Sequence, residues 1–128
     1  MRHEPLILAT VRGERKIIVE IAETDRQKAL GLMFRTKLAD DRGMLFVYGA
    51  PQEITMWMKN TYIPLDMVFI RDDGRVHRIA ANTEPLSEDI IASKGAVSFV
   101  LELAGGAAER LGLKAGARLR HPLFRGRN

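Results

Sequence analysis

Short apolar runs separated by turn residues recur along the chain, and their period is mostly that of strands. Residues 6–11 and 16–22 are rich in β-branched and aliphatic side chains, and Arg12-Gly13-Glu14-Arg15 lies between them, so this stretch predicts a β-hairpin. Thr24 and Gln27 have the spacing of a capping box, in which each side chain satisfies a free backbone amide of a helix start. A short helix over 25–34 is therefore expected. Ala29, Leu30 and Met33 fall on one of its faces with Leu32 beside them, a face suited to docking on a sheet. Gly31 inside that helix costs about 1 kcal/mol relative to alanine, which implies that another backbone passes close to it.

The segments 43–48, 54–59, 65–71 and 75–81 follow as strands, after a charged loop over 35–42. Asp72-Asp73-Gly74 is the strongest hairpin signal of the chain. A polar stretch over 82–94 precedes a strand over 96–103. Gly105-Gly106 then leads into a brief helix over 107–111, Gly112 is placed to end it in the left-handed conformation, and 117–121 supplies a last strand. Strand follows strand without long helical crossovers. The expected fold is mainly β, an antiparallel β-sandwich or open barrel with two short helices.

Composition narrows the chemistry. With 128 residues, 46% apolar and 28% charged, the chain suits one domain over 1–128 and excludes disordered and fibrous classes. No apolar run approaches the roughly 18 residues of a spanning helix. The absence of cysteine excludes disulfides, thiolate zinc sites, iron–sulfur clusters and a cysteine nucleophile. The net charge of +4 is concentrated at the end, where Lys114, Arg118, Arg120, Arg125 and Arg127 lie without an acid. Removing those five from the 20 basic residues leaves 15 against 16 acidic ones, a net of −1 for the rest. Residues 122–128 are expected to form a flexible tail. With only Phe124 available there for stacking, the tail predicts weak electrostatic binding of nucleic acid at low salt and no specific recognition. The first residues lack the apolar core of a signal segment, so a cytoplasmic location is expected unless a signal was trimmed, in which case the protein is periplasmic or otherwise exported.

Four blocks carry a family resemblance: Gly31-Leu32-Met33-Phe34-Arg35, then Gly43-Met44-Leu45-Phe46, then 56–66 with the sequence MWMKNTYIPLD, and finally Leu101-Glu102-Leu103-Ala104-Gly105-Gly106-Ala107 through Leu111-Gly112 and Gly116. In this order, over about residues 16–121, they resemble the bacterial and archaeal family called domain of unknown function 192. Where that family typically has an aspartate after the final glycine, this chain has Ala117. The resemblance implies a single small domain and no defined activity, and many members of the family look exported.

The third block concentrates hydrogen-bonding residue types. If 54–59 is a strand, Thr55, Trp57 and Lys59 share a face, and if 60–65 connects it to the next strand, Lys59 and Asp66 become cross-strand neighbours. Three readings of this patch stand side by side. Lys59 and Asp66 form a hairpin ion pair with Asn60 and Thr61 as turn residues. Alternatively, Trp57, Lys59, Asn60 and Asp66, joined by Arg35 from the helix exit, wall a polar pocket for a small molecule or a partner protein. In the third reading, Lys59 and Asp66 act as catalytic groups of a small hydrolase or transferase. The binding module is the reading carried forward, without a catalytic residue or a cofactor. No metal site is expected, because His3, His77 and His121 are isolated in sequence, and Met33, Met44, Met56, Met58 and Met67, which could ligate copper(I), read as adaptable core packing.

Overall fold

A computed structural model describes residues 1–125. The elements run β1 (His3–Thr10), β2 (Gly13–Ala22), α1 (Asp25–Leu30), β3 (Arg42–Met56), β4 (Leu65–Ile70), β5 (Val76–Thr83), β6 (Ile91–Ala104), α2 (Ala107–Leu111) and β7 (Leu119–Arg120). All seven strands join one sheet in the order β5-β4-β6-β3-β2-β1-β7. The sheet curls into a half-barrel. At one end its two edges meet, where Val76 N–H donates to Ala117 O and Leu119 N–H to Gly74 O, both at 2.8 Å. Of the two architectures the sequence left open, this is the open barrel, with both short helices present.

Five of the six strand pairings are antiparallel, but β2 and β3 run parallel. That corrects the expectation of an all-antiparallel sheet. The crossover a parallel pair requires is supplied by α1 and the loop over 31–41, a connection too short and too weakly helical to stand out in sequence. The strands predicted over 43–48 and 54–59 are largely one long strand, β3, kinked by register shifts against β6 between Val47 and Gln52 and again between Glu53 and Thr55. β6 likewise begins at Ile91, within the stretch read as a polar connection, because backbone pairing with β3 does not depend on apolar side chains.

Alternating side chains build two apolar layers, one on each face of the sheet. Leu6, Leu8, Ile17, Val19, Leu45, Val68, Ile70, Leu101 and Leu103 fill one with Ala107 and Ala108 of α2. Met44, Phe46, Met67, Phe69 and Val100 fill the other beneath Leu32, Ile54 and Met58. β4 is buried on both faces, which explains its nearly continuous apolar run. Met44, Met58 and Met67 are core, as the sequence suggested, and Met56 packs against the same layer, whereas Met33 is half-buried outside both layers.

The capping box of α1 is present: Gln27 N–H donates to Thr24 Oγ1 at 3.0 Å, and Gln27 Oε1 accepts from Thr24 N–H at 3.1 Å. The helix nevertheless stops at Leu30 instead of reaching residue 34. Gly31 ends it at φ +49° and ψ −132°, with the edge of the Phe46 ring 3.2 Å from where a Cβ would sit. Close approach is thus real, although by a side chain against a helix terminus and not by a backbone against a helix interior. Gly31→Ala is expected to lower stability by about 1–3 kcal/mol, since alanine strains at this backbone conformation. Urea unfolding checks it: the midpoint should fall at unchanged slope, and a raised midpoint would disprove it.

Candidate functional site

The sequence placed a pocket between two hairpin strands, and the sheet order forbids that hairpin. β6 lies between β3 and β4, and Trp57, Met58, Lys59 and Asn60 follow β3 as irregular chain and turn. Lys59 and Asp66 are therefore not cross-strand neighbours. The ion-pair reading and the hydrolase or transferase reading both lose the juxtaposition they required.

Asp66 is fully buried in β4 and committed to backbone donors. Its Oδ1 accepts from the N–H groups of Asn82 and Gly106, both at 2.9 Å, and its Oδ2 accepts from Ala108 N–H at 2.8 Å. Gly106 is the N-cap of α2 and offers no side chain to cap the helix, so the carboxyl from β4 satisfies the first-turn amides in its place. Asp66 is the anchor that docks α2 on the sheet.

Arg35 and Asn60 also stand apart from the expected pocket wall. Arg35 forms a two-pronged pair with Glu20 of β2, Nη1 to Oε2 at 2.5 Å and Nη2 to Oε1 at 2.9 Å. That bonding holds the Glu20 carboxyl below its ordinary range and raises the guanidinium. Arg35 borders a separate surface cleft with His3, Lys37, Leu38 and Arg42. Asn60 sits at φ +56°, which asparagine tolerates better than most residues, and its carbonyl accepts from Phe34 N–H at 2.9 Å. Phe34 and Leu86 share left-handed backbone, at φ +68° each, and Leu86 N–H donates to Thr61 O at 3.0 Å. Asn60 therefore ties the chain after α1 to the turn after β3.

Trp57 and Lys59 do meet at a pocket. It has a volume of about 140 Å³ and is bounded by the end of α1 through Met33 on one side and by Thr55–Lys59 on the other, with Phe46, Tyr48 and Glu102 on the sheet beneath. Trp57 is 43% exposed, and the Lys59 ammonium lies 5.1 Å from the centre of its ring. Lys28 is committed to Val47 O at 2.8 Å and stands over the Tyr48 ring at 4.5 Å. Tyr48 O–H donates to Met56 Sδ at 3.4 Å, and Thr61 O–H donates to Lys59 O at 3.2 Å.

Glu102 is the residue that sequence reasoning missed. It pairs across the sheet with Met44 of β3 and Met67 of β4, so its carboxyl projects into the methionine-rich layer below the pocket. Only 4% of the residue is exposed, and among the described residues nothing hydrogen-bonds to its carboxyl oxygens. Burial alone pushes its pKa up to about 8, and Tyr48 is raised to about 12 by its own burial first and by the nearby Glu102 charge second. The available signal was an acid inside the apolar run Val97-Ser98-Phe99-Val100-Leu101-Glu102-Leu103, at a position where a strand buried on both faces has no use for one.

A curled seven-stranded sheet with a mostly buried carboxyl, free of protein donors, at the floor of an aromatic-rimmed pocket defines a small β-domain; the one fully enclosed side-chain polar atom without a partner among the described residues is Ser98 Oγ, away from that pocket. The family model of domain of unknown function 192 (DUF192), described as an uncharacterized ACR, matches residues 7–121, and the chain belongs to that family. Two crystal structures share the fold closely. One is of a protein from Sinorhizobium meliloti 1021 described as a candidate transcription regulator, 45% identical, with 93% of each chain covered and a TM-score of 0.90. The other is of a protein of unknown function from Novosphingobium aromaticivorans DSM 12444, 41% identical, covering 93% of this chain and 85% of that one with a TM-score of 0.89. No curated protein matches the chain. Among the described residues no helix is long and apolar enough to cross a membrane, and no three histidine, aspartate or glutamate side chains are grouped to hold a metal ion.

Proposed function

We propose that this protein is a binding module for a small ligand, held in the pocket between the end of α1 and Thr55–Lys59. The observation that carries the reading is Glu102, whose buried carboxyl has no hydrogen-bond donor from the described residues. The carboxyl opens onto the pocket and not into closed core, and a mostly buried acid without a protein donor is a place where a ligand can complete the set. The volume of about 140 Å³ fits a compound of roughly benzene size, well below ordinary cofactors. Trp57 and Lys59 stand at its rim, which keeps two of the five residues singled out from sequence. Arg35, Asn60 and Asp66 support the surrounding structure instead.

The basic end supports binding less well. Arg120 is ion-paired with Glu14 and so is not an uncommitted cation. The tail expectation falls partly on Arg127, which lies outside the described residues, as do residues 126 and 128.

Trp57 reports on the pocket mouth and is the only tryptophan. Fluorescence should change on titration with a small metabolite that fits, and Glu102→Leu should abolish the change while the protein remains folded by circular dichroism. A ligand bound equally well by wild type and Glu102→Leu would place binding elsewhere and overturn the proposal.

A further inference from the structure

Building on the pocket reading, we propose that its ligand class is the small zwitterion, with a protonated amine directed at Glu102 and an anionic end at Lys59. Both Glu102 oxygens lack a donor among the described residues, so the floor asks for several N–H groups from one compact source. An ammonium supplies three, whereas a hydroxyl supplies one and a carboxylate none. The hydroxyl protons near the floor are engaged, Tyr48 on Met56 and Thr61 on Lys59 O, and Lys28 gives one of its three N–H groups to Val47 O. Among the lining residues Glu102 is the one acid, and the lysines Lys28 and Lys59 favour an anionic end away from it. Leu32, Met33, Phe46 and Met56 make the intervening walls apolar.

The mouth has the opposite character. Lys59 is exposed, is drawn only to the Trp57 ring, and has no acidic partner among the described residues. A plain cation has to pass this ammonium and gains nothing from it. A plain anion is attracted at the mouth and could accept the single O–H of the protonated carboxyl, but it brings no donor for the carboxyl oxygens. One molecule bearing both charges, joined by a short apolar chain, meets both requirements within the available volume.

Proton balance gives the arrangement its own signature. Burial keeps the free Glu102 carboxyl mostly protonated at neutral pH, so pairing with an ammonium, which keeps its own protons, sends the carboxyl proton to solvent. Zwitterion binding near pH 7 should therefore release close to one proton, and almost none near pH 9.

The full chain would be titrated with ω-amino acids of two, four and six carbons, and with the alkylammonium, carboxylate and primary amide of each length. Trp57 fluorescence would follow binding, and calorimetry in buffers of different ionisation enthalpy would count protons. At least one amino acid should bind roughly tenfold or more tightly than its matched amine, acid and amide, with proton release at neutral pH. Glu102→Gln should weaken it at least tenfold and remove the proton release, and Lys59→Met should bring its affinity to that of the matched amine. Amides bound as tightly as amino acids would overturn the charge assignment yet leave the pocket reading standing. Amines bound as tightly would remove the role of Lys59 alone, and so end the zwitterion assignment. Failure of every probe to perturb Trp57 at tens of millimolar would overturn the ligand class and count against the pocket as well.

Discussion

Replacing Asp66 with alanine is expected to lower the melting temperature by roughly 10–20 °C, the largest loss of any single polar substitution in this protein. The carboxyl accepts from Asn82, Gly106 and Ala108, and two of these amides belong to the start of α2. Alanine leaves all three donors without their acceptor, and at about 1–3 kcal/mol for each buried donor, discounted where Asn82 and Gly106 are partly reached by water, the loss is roughly 3–5 kcal/mol. Asp66→Asn should fall between, because an amide oxygen can still accept from two donors while its NH2 opposes the third. Thermal melts of both variants, with amide exchange at Ala108, test the argument. A shift of only a degree or two for Asp66→Ala would mean that Ala107 and Ala108, packed in the apolar layer, hold α2 without the carboxyl.

Glu102→Gln should stabilise the protein, increasingly so as pH rises. Burial raises the folded-state pKa of Glu102 from 4.5 to about 8, so between those values the folded protein holds a proton that the unfolded chain has lost. Stability from this group is complete below about pH 4.5, declines as pH rises through the window, and is gone above about pH 8, a total of roughly 3–5 kcal/mol. Glutamine carries no such dependence. Melting curves of the two proteins should coincide near pH 4 and separate progressively to a plateau near pH 9. The comparison isolates Glu102 from the carboxylates held low by arginines, such as Glu20 beside Arg35 and Asp40 beside Arg110, whose contribution has the opposite sign and is common to both proteins. Parallel curves would show that water reaches the carboxyl freely, and would remove the physical basis for treating Glu102 as a desolvated acid.

The two carboxylates inside the sheet illustrate what sequence conveys about a site. Asp66 stood out because it lies in a dense polar block, yet its environment consumes it entirely. Glu102 lies among aliphatic residues and attracted no notice, yet its carboxyl remains open. Sequence shows which groups are present. It does not show how many donors surround each, because the donors to Asp66 are backbone amides of residues 82, 106 and 108, brought together by strand order alone. Of the three residues that side-chain parity grouped, Trp57 and Lys59 lie together although neither is in a strand, and Asp66 does not join them. The parity survived because Ile54 and Met58 remain on the buried side while Thr55, Trp57 and Lys59 face out.

What the sequence determined by itself was local: the Thr24–Gln27 cap, the left-handed stop at Gly112, the Asp72-Asp73-Gly74 turn and the mainly β character all follow from side chains acting on their own neighbouring backbone. Tertiary structure decided the rest. It made one strand of two predicted ones, set β2 parallel to β3, and inserted β6 between β3 and β4, so that Glu102 rather than Asp66 lies beneath Trp57 and Lys59. The physical reason is that ladder hydrogen bonds use backbone groups common to every residue, so partner choice is fixed by which combination buries both apolar faces of the sheet at once.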